Sequence, residues 1–171
     1  MSTLFVYSPD GAVSDNLVAQ ATAFNASDTN DCGFDLNLYA EPEPGSGGFA
    51  SEVLMTTKVH AKMCTSDDRF TAFDLRLRSS VPREYGWMLG NSVGTIDASY
   101  CGELKAYMVN FRAADNVLWR SFVAMHCKRI VQVVAPDMQK FSVCVLNTKD
   151  SWDRIVSRCK DRNGGFGSTG V

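Results

Sequence analysis

Thr57-Lys58-Val59-His60-Ala61-Lys62-Met63 alternates small or apolar residues with polar ones at every step. A period of two places alternate side chains on opposite faces of an extended chain. The stretch therefore predicts a strand with one buried and one wet face. Phe73-Asp74-Leu75-Arg76-Leu77-Arg78 repeats the pattern, and Phe141-Ser142-Val143-Cys144-Val145 repeats it more weakly. Leu4 to Tyr7 and Ile130 to Ala135 read as short, more fully buried strands. Turn signals punctuate them at Pro9-Asp10-Gly11, at Glu41 to Gly48, at Ser66-Asp67-Asp68 and at Ala135-Pro136-Asp137. Many short strands with regular turns imply an all-β domain of the sandwich or barrel kind. At most one short helix is expected, around Pro82 to Met88.

The chain has 171 residues, enough for one domain with a sizeable core. Its 45% hydrophobic and 21% charged content is ordinary for a globular protein. A formal net charge of -2 argues against a nucleic-acid groove or an anionic membrane as partner. No apolar run approaches the roughly 20 residues of a membrane span, and Met1 to Tyr7 lacks a signal-like basic start. An intracellular, soluble protein of cytoplasm or nucleus is expected. Cysteines stand at 32, 64, 101, 127, 144 and 159, with no C-x-x-C pair, and the histidines are His60 and His126. Reduced, mostly buried thiols are expected, rather than a zinc site or a disulfide framework.

Four segments hold residue types suited to a nucleotide. Arg78-Ser79-Ser80 closes an alternating strand with a guanidinium, which matches phosphate oxygens bidentately, and two hydroxyls. Asn91 to Leu104 reads as a strand, a turn at Ala98-Ser99 and a returning strand kept narrow by Gly102. Asp97, just before the turn, serves either as a turn-former or as a general base that orients and deprotonates water. Gln132 interrupts the apolar run Ile130 to Val134, either for a structural hydrogen bond or to donate to phosphate; Arg129 fits an ion pair. Asp35 is either a turn residue or a carboxylate near Mg²⁺, an ion often held through carboxylates and substrate phosphates.

The last eight residues, Gly164-Gly165-Phe166-Gly167-Ser168-Thr169-Gly170-Val171, are half glycine. Such a segment is either a disordered tail or an arm that orders on a ligand. In the second case its backbone N–H groups, Ser168 and Thr169 would meet an anion, and Phe166 would stack on a flat ring.

Together these segments resemble the five ordered motifs of the trimeric dUTPase family. Cys32-Gly33-Phe34-Asp35-Leu36 is similar to the first, Arg78-Ser79-Ser80 to the second and Arg129-Ile130-Val131-Gln132 to the fourth. Gly94-Thr95-Ile96-Asp97-Ala98-Ser99-Tyr100-Cys101-Gly102-Glu103 fits the third at every fixed position, and Gly164 to Gly170 matches the end of the fifth. The likeness runs from about residue 30 to the end of the chain. Three departures stand out. Leu77 replaces the usual proline, Ser80 replaces a glycine, and the fifth-motif arginine is displaced by one place to Arg162, for which Arg158 or Lys160 are possible substitutes.

The resemblance implies a distorted jelly-roll barrel over residues 1–163, with 164–171 as an arm, and hydrolysis of dUTP to dUMP and pyrophosphate. It also implies a homotrimer in which the phosphate motifs come from one subunit, the uracil hairpin from a second and the arm from a third. Asp97 would be the general base. Asp35 would hold Mg²⁺ indirectly, through water. Arg78, Ser79, Ser80, Gln132 and Arg162 would meet the phosphate chain. Backbone near Asn91 and Leu104 would read uracil, with Gly94, Ile96 and Glu103 completing the hairpin. Tyr100 would pack on deoxyribose. Phe166 and Gly167 would close over the base, and Ser168 and Thr169 would reach phosphate. Two other readings are a dCTP deaminase of the same fold and a non-catalytic dUTP-binding protein.

Overall fold

The alternating segments become the strands of two sheets in a computed structural model that describes residues 1–39, 52–111 and 124–158. In chain order the elements are β1 (Thr3–Tyr7), α1 (Gly11–Ala26), β2 (Gly33–Leu38), β3 (Glu52–Cys64), β4 (Phe70–Thr71), β5 (Phe73–Leu77), α2 (Val81–Tyr85) and β6 (Trp87–Leu89). They continue with β7 (Gly94–Ile96), β8 (Glu103–Asn110), β9 (Lys128–Val134), β10 (Ser142–Leu146) and α3 (Lys149–Val156). The larger sheet runs β10-β1-β3-β8-β6, with β4 also paired to β3. The smaller runs β2-β9-β5-β7 and is antiparallel throughout. Only the β1–β10 pair is parallel among the described strands.

The inner faces of both sheets merge into one core. Leu4, Val6, Met55, Ala61, Leu104 and Met108 enter it from the larger sheet, and Phe34, Leu36, Leu75, Val131 and Val133 from the smaller. The mainly-β, jelly-roll reading therefore holds. In β3 the alternation places Thr57, Val59, Ala61 and Met63 inside, as expected; Lys62 is buried as well, at 1% exposure. β1 departs from the expectation of burial on both faces, because only Leu4 and Val6 turn inward.

The helix content is a correction. Three helices lie wholly within the described residues, one of them 16 residues long. The Pro9-Asp10-Gly11 turn signal is in fact the start of α1. The Asp10 carboxylate accepts from the N–H groups of Ala12 and Val13, satisfying donors that a helix start leaves orphaned. Only Val13, Leu17 and Ala21 are buried, a stripe one residue wide that leaves no strong periodic signal. α3 is capped in the same way by Thr148, whose hydroxyl accepts from the Ser151 N–H. α2 covers only part of the expected span: Gly86 ends it with φ 74, and Trp87–Leu89 continue as β6. Of the described cysteines, Cys64 and Cys101 are buried but Cys127 and Cys144 are exposed, against the expectation of mostly buried thiols.

Candidate functional site

The smaller sheet brings three of the sequence segments together. Asp35 of β2 stands opposite Gln132 of β9, and Gln132 stands opposite Arg76 of β5, so these side chains share one row on the wet face. Arg78, just past the end of β5, is tied down by its own N–H to the Ile130 carbonyl at 2.9 Å. Its Nε lies 3.0 Å from Asp35 Oδ2, and Arg129 Nη1 lies 3.5 Å from the same oxygen. Arg78 Nη1 also donates to the Arg129 carbonyl at 3.1 Å. Gln132 Nε2 reaches the Leu77 carbonyl at 3.4 Å, the structural hydrogen bond that was one of its two readings.

Asp35, Arg78, Arg129 and Gln132 wall a cavity of about 570 Å³, together with Ser79 and Ser80. Burial raises the Asp35 carboxyl above its ordinary value, against the opposing pull of Arg78 and Arg129. The Arg129 ion pair agrees with the sequence reading. What that reading missed is the far wall, formed by Gln20, Phe24 and Ser27 of α1 and its C-cap, together with Asp31. Asp10 was the available signal for that helix. Asn25 pins its C-terminal end, its side chain donating to the Val143 carbonyl and accepting from the Val143 N–H. Lys140 Nζ adds a hydrogen bond to the Thr29 carbonyl at 3.1 Å.

The Asn91–Leu104 segment lies elsewhere. Asp97 is exposed and follows β7, where the Tyr100 N–H closes the turn onto the Asp97 carbonyl at 3.0 Å. The turn at Ala98-Ser99 is as expected. The paired hairpin is not: β7 bonds to β5 in the smaller sheet, whereas β8 bonds to β3 and β6 in the larger. Two sheets compete for the flanks of the turn, and each takes one. Asn91 lies beside Gly94 at the start of β7, Ile96 pairs with Phe73, and Tyr100 Oη donates to the Glu103 carbonyl at 2.8 Å. Leu104 is fully buried, with its carbonyl accepting from Thr57 Oγ1 at 2.8 Å.

None of these residues lines the cavity. Ile96 pairs with Phe73 at the start of β5, while Arg78 follows its end. Five residue steps of extended chain separate Phe73 from Arg78, roughly 16 Å at the usual rise. The turn carboxylate and the cavity thus stand at opposite ends of β5. The expected contacts of Arg162, Phe166, Gly167, Ser168 and Thr169 lie outside the described residues, as does the loop at Glu41 to Gly48.

No protein-family model matches the chain. Among individual proteins, the deoxyuridine 5'-triphosphate nucleotidohydrolase of Treponema pallidum is 37% identical over 97 residues, covering 57% of this chain and 58% of that protein. The protein of the same name from Rickettsia akari is 33% identical over 97 residues, 57% of each chain. This chain resembles the dUTP nucleotidohydrolases. The match spans under three fifths of the length of either relative. Among solved structures, a dUTPase from Streptococcus mutans is 29% identical, covers 66% of this chain and 84% of that one, and superposes with a TM-score of 0.42. No described helix is long and apolar enough to cross a membrane.

Proposed function

We propose that this chain hydrolyses dUTP to dUMP and pyrophosphate at a site assembled between copies of itself. One observation carries the reading: Asp35, Arg78, Ser79, Ser80 and Gln132 converge on one cavity, while Asp97 stands at the far end of β5. A single chain has the phosphate-binding half and the water-activating half facing different places. A cyclic assembly that sets the Asp97 turn of one subunit against the cavity of the next completes the site. The wet face of the larger sheet supports self-association. Leu54, opposite Tyr107, is 46% exposed, and Met88, opposite Val109, is 40% exposed. A homotrimer is the assembly proposed.

In this reading the cavity takes the triphosphate. Arg78 keeps donors beyond those given to Asp35 and Arg129 and turns them to the terminal phosphates. Ser79 and Gln132 donate around the α- and β-phosphates, and Ser80 adds a hydroxyl. The cavity also fits Mg²⁺. Asp35 and Asp31 line it, so one or two carboxylates would hold the ion's water shell while substrate oxygens ligate it. When bound, Mg²⁺ neutralises charge on the triphosphate and fixes its conformation.

Asp97 holds a water in line with the α-phosphorus and takes its proton. The water oxygen bonds to phosphorus as the bond to the bridging oxygen breaks, and pyrophosphate leaves. Catalysis rests on positioning and electrostatic stabilisation. Uracil is selected by backbone groups near Asn91 and Leu104, and Tyr100 packs against deoxyribose. Cytosine would leave buried polar groups unpaired. The arm, with Arg162, Phe166, Gly167, Ser168 and Thr169, closes over the nucleotide.

The test is complementation between two inactive variants. Asp97→Asn and Gln132→Ala are each expected to lack dUTP-dependent pyrophosphate release. Co-expressed, they regain part of it, because some mixed sites carry both native halves. Absence of recovery in mixed oligomers would remove the shared site, and ammonia release from dCTP would remove the reaction.

A further inference from the structure

Lys62 breaks the alternation of β3. It belongs to the polar set with Lys58 and His60, yet it is buried to 1% exposure. Burying an ammonium costs several kcal/mol unless it is compensated. Among the described residues Lys62 has no carboxylate partner. Its Nζ donates to the Ala98 carbonyl at 2.7 Å and lies 5.5 Å from the centre of the Phe70 ring. Ala98 immediately follows Asp97. Two residues earlier on the same face of β3, His60 Nδ1 is 3.0 Å from the Cys101 carbonyl. The turn that carries Asp97 is therefore held from beneath at two backbone oxygens, by two side chains of one strand. Behind them, Trp152 of α3 packs with Cys101 and tilts against His60 at 5.7 Å.

A carbonyl oxygen would accept from water equally well, so packing alone does not explain a buried charge at this place. A charged donor gives a stronger and better-directed hydrogen bond than a neutral one, and it fixes the peptide that joins Ala98 to Ser99, one residue past Asp97. We propose that Lys62 is a positioning residue whose ammonium clamps the Ala98–Ser99 peptide, in the turn directly after Asp97, and so sets the aim of the Asp97 carboxylate. This rests on the reading of Asp97 as the general base. Removing the clamp loosens the water-activating group and leaves the phosphate cavity, at the other end of β5, intact. The turnover number should suffer and substrate affinity should not.

The experiment compares the full-length Lys62→Met, Lys62→Gln and Lys62→Arg proteins with the native chain. Steady-state dUTP hydrolysis is read beside amide hydrogen exchange over residues 97–102. For Lys62→Met the expected result is a kcat lower by about 10- to 100-fold with KM nearly unchanged. Exchange at the Tyr100 amide should be faster, and Lys62→Arg should restore most of both. Lys62→Gln, which keeps a neutral donor, should fall between them and takes the place of Lys62→Met should that protein not fold. Folded variants with native kcat and native Tyr100 exchange overturn the clamp. An arginine variant as impaired as the methionine one also overturns it, because shape rather than charge would then matter. A native protein with no turnover on dUTP sinks the proposed reaction instead; hydrogen exchange then still decides whether Lys62 holds the turn.

Discussion

A β-carbon on Gly33 would stand 1.8 Å from Gln132 Oε1, so the glycine is what lets that side chain lie across β2. Turning the amide about its own bond moves Oε1 but leaves Gln132 Cδ 2.8 Å from that β-carbon, so the side chain must swing aside. Gly33→Ala is expected to lower kcat/KM on dUTP by about 10- to 100-fold and to destabilise the fold by about 1–3 kcal/mol as an overpacking change. Steady-state kinetics and a urea melt measure the two effects. Native kinetics would show that the position of Gln132 is irrelevant to turnover.

Asp97→Asn keeps the shape of the turn and removes the proposed base. The Tyr100 N–H bonds to the backbone carbonyl of residue 97, so the substitution leaves that contact alone. Turnover is expected to fall by about 10²- to 10⁴-fold, the usual range for a general base. Binding of a non-hydrolysable dUTP analogue, followed by calorimetry, should be nearly native.

Phe34 is 1% exposed and meets Phe24 of α1 edge to face, with ring centres 5.5 Å apart. It joins the helix to the smaller sheet beneath the cavity. Phe34→Ala is expected to cost about 3–5 kcal/mol, from lost transfer energy and the void left behind. Denaturant unfolding reads this directly, and a loss under about 1 kcal/mol would mean that the helix packs on something else.

Asp10 caps α1 and pairs with Lys58 at 3.2 Å. The Val13 N–H, followed by Lys58, holds its carboxyl below the ordinary 3.8. A lowered carboxyl stabilises the folded state fully above its unfolded value and loses that contribution as pH falls through the folded value. The Tm gap between the native protein and Asp10→Ala should therefore be constant near neutral pH and close below about pH 3.8. Asp10→Asn, which keeps an acceptor at the cap, should lose less at neutral pH. A gap that widens in acid would contradict the assignment.

Arg158 has a partner in this structure. Its Nη2 lies 2.6 Å from Asp68 Oδ2, and its guanidinium sits 5.2 Å from the centre of the Phe70 ring. Of the basic residues that could replace the displaced fifth-motif arginine, this one is committed to the β3–β4 hairpin. Arg158→Ala should let the Asp68 carboxyl, held down chiefly by that guanidinium, rise toward 3.8 in an NMR titration. KM for dUTP should change by less than about twofold, as expected of an exposed ion pair remote from substrate. A tenfold rise in KM would return Arg158 to the phosphate site.

The strands were legible because alternation is a local signal. Each of Thr57 to Met63 and Phe73 to Arg78 states its own inward face, whatever the rest of the chain does. The motifs were legible for a related reason. A fixed order of short segments singles out candidate residues, and the structure gathers Asp35, Arg78 and Gln132 around one cavity. α1 was not legible, because a helix that buries only Val13, Leu17 and Ala21 has no strong period to read. Nor was the parting of the third-motif flanks. Gly94–Ile96 and Glu103–Asn110 are good strands in any setting, and only the competition between two sheets for partners decides that they do not pair with each other. Lys62 makes the same point at one residue: the sequence assigns it by parity to the wet face, and the turn that covers it is contributed by residues more than thirty positions later. Local patterning determined which segments extend and which residues are suited to a triphosphate. The tertiary structure decided which of them meet, because long-range pairing and burial depend on the whole chain at once.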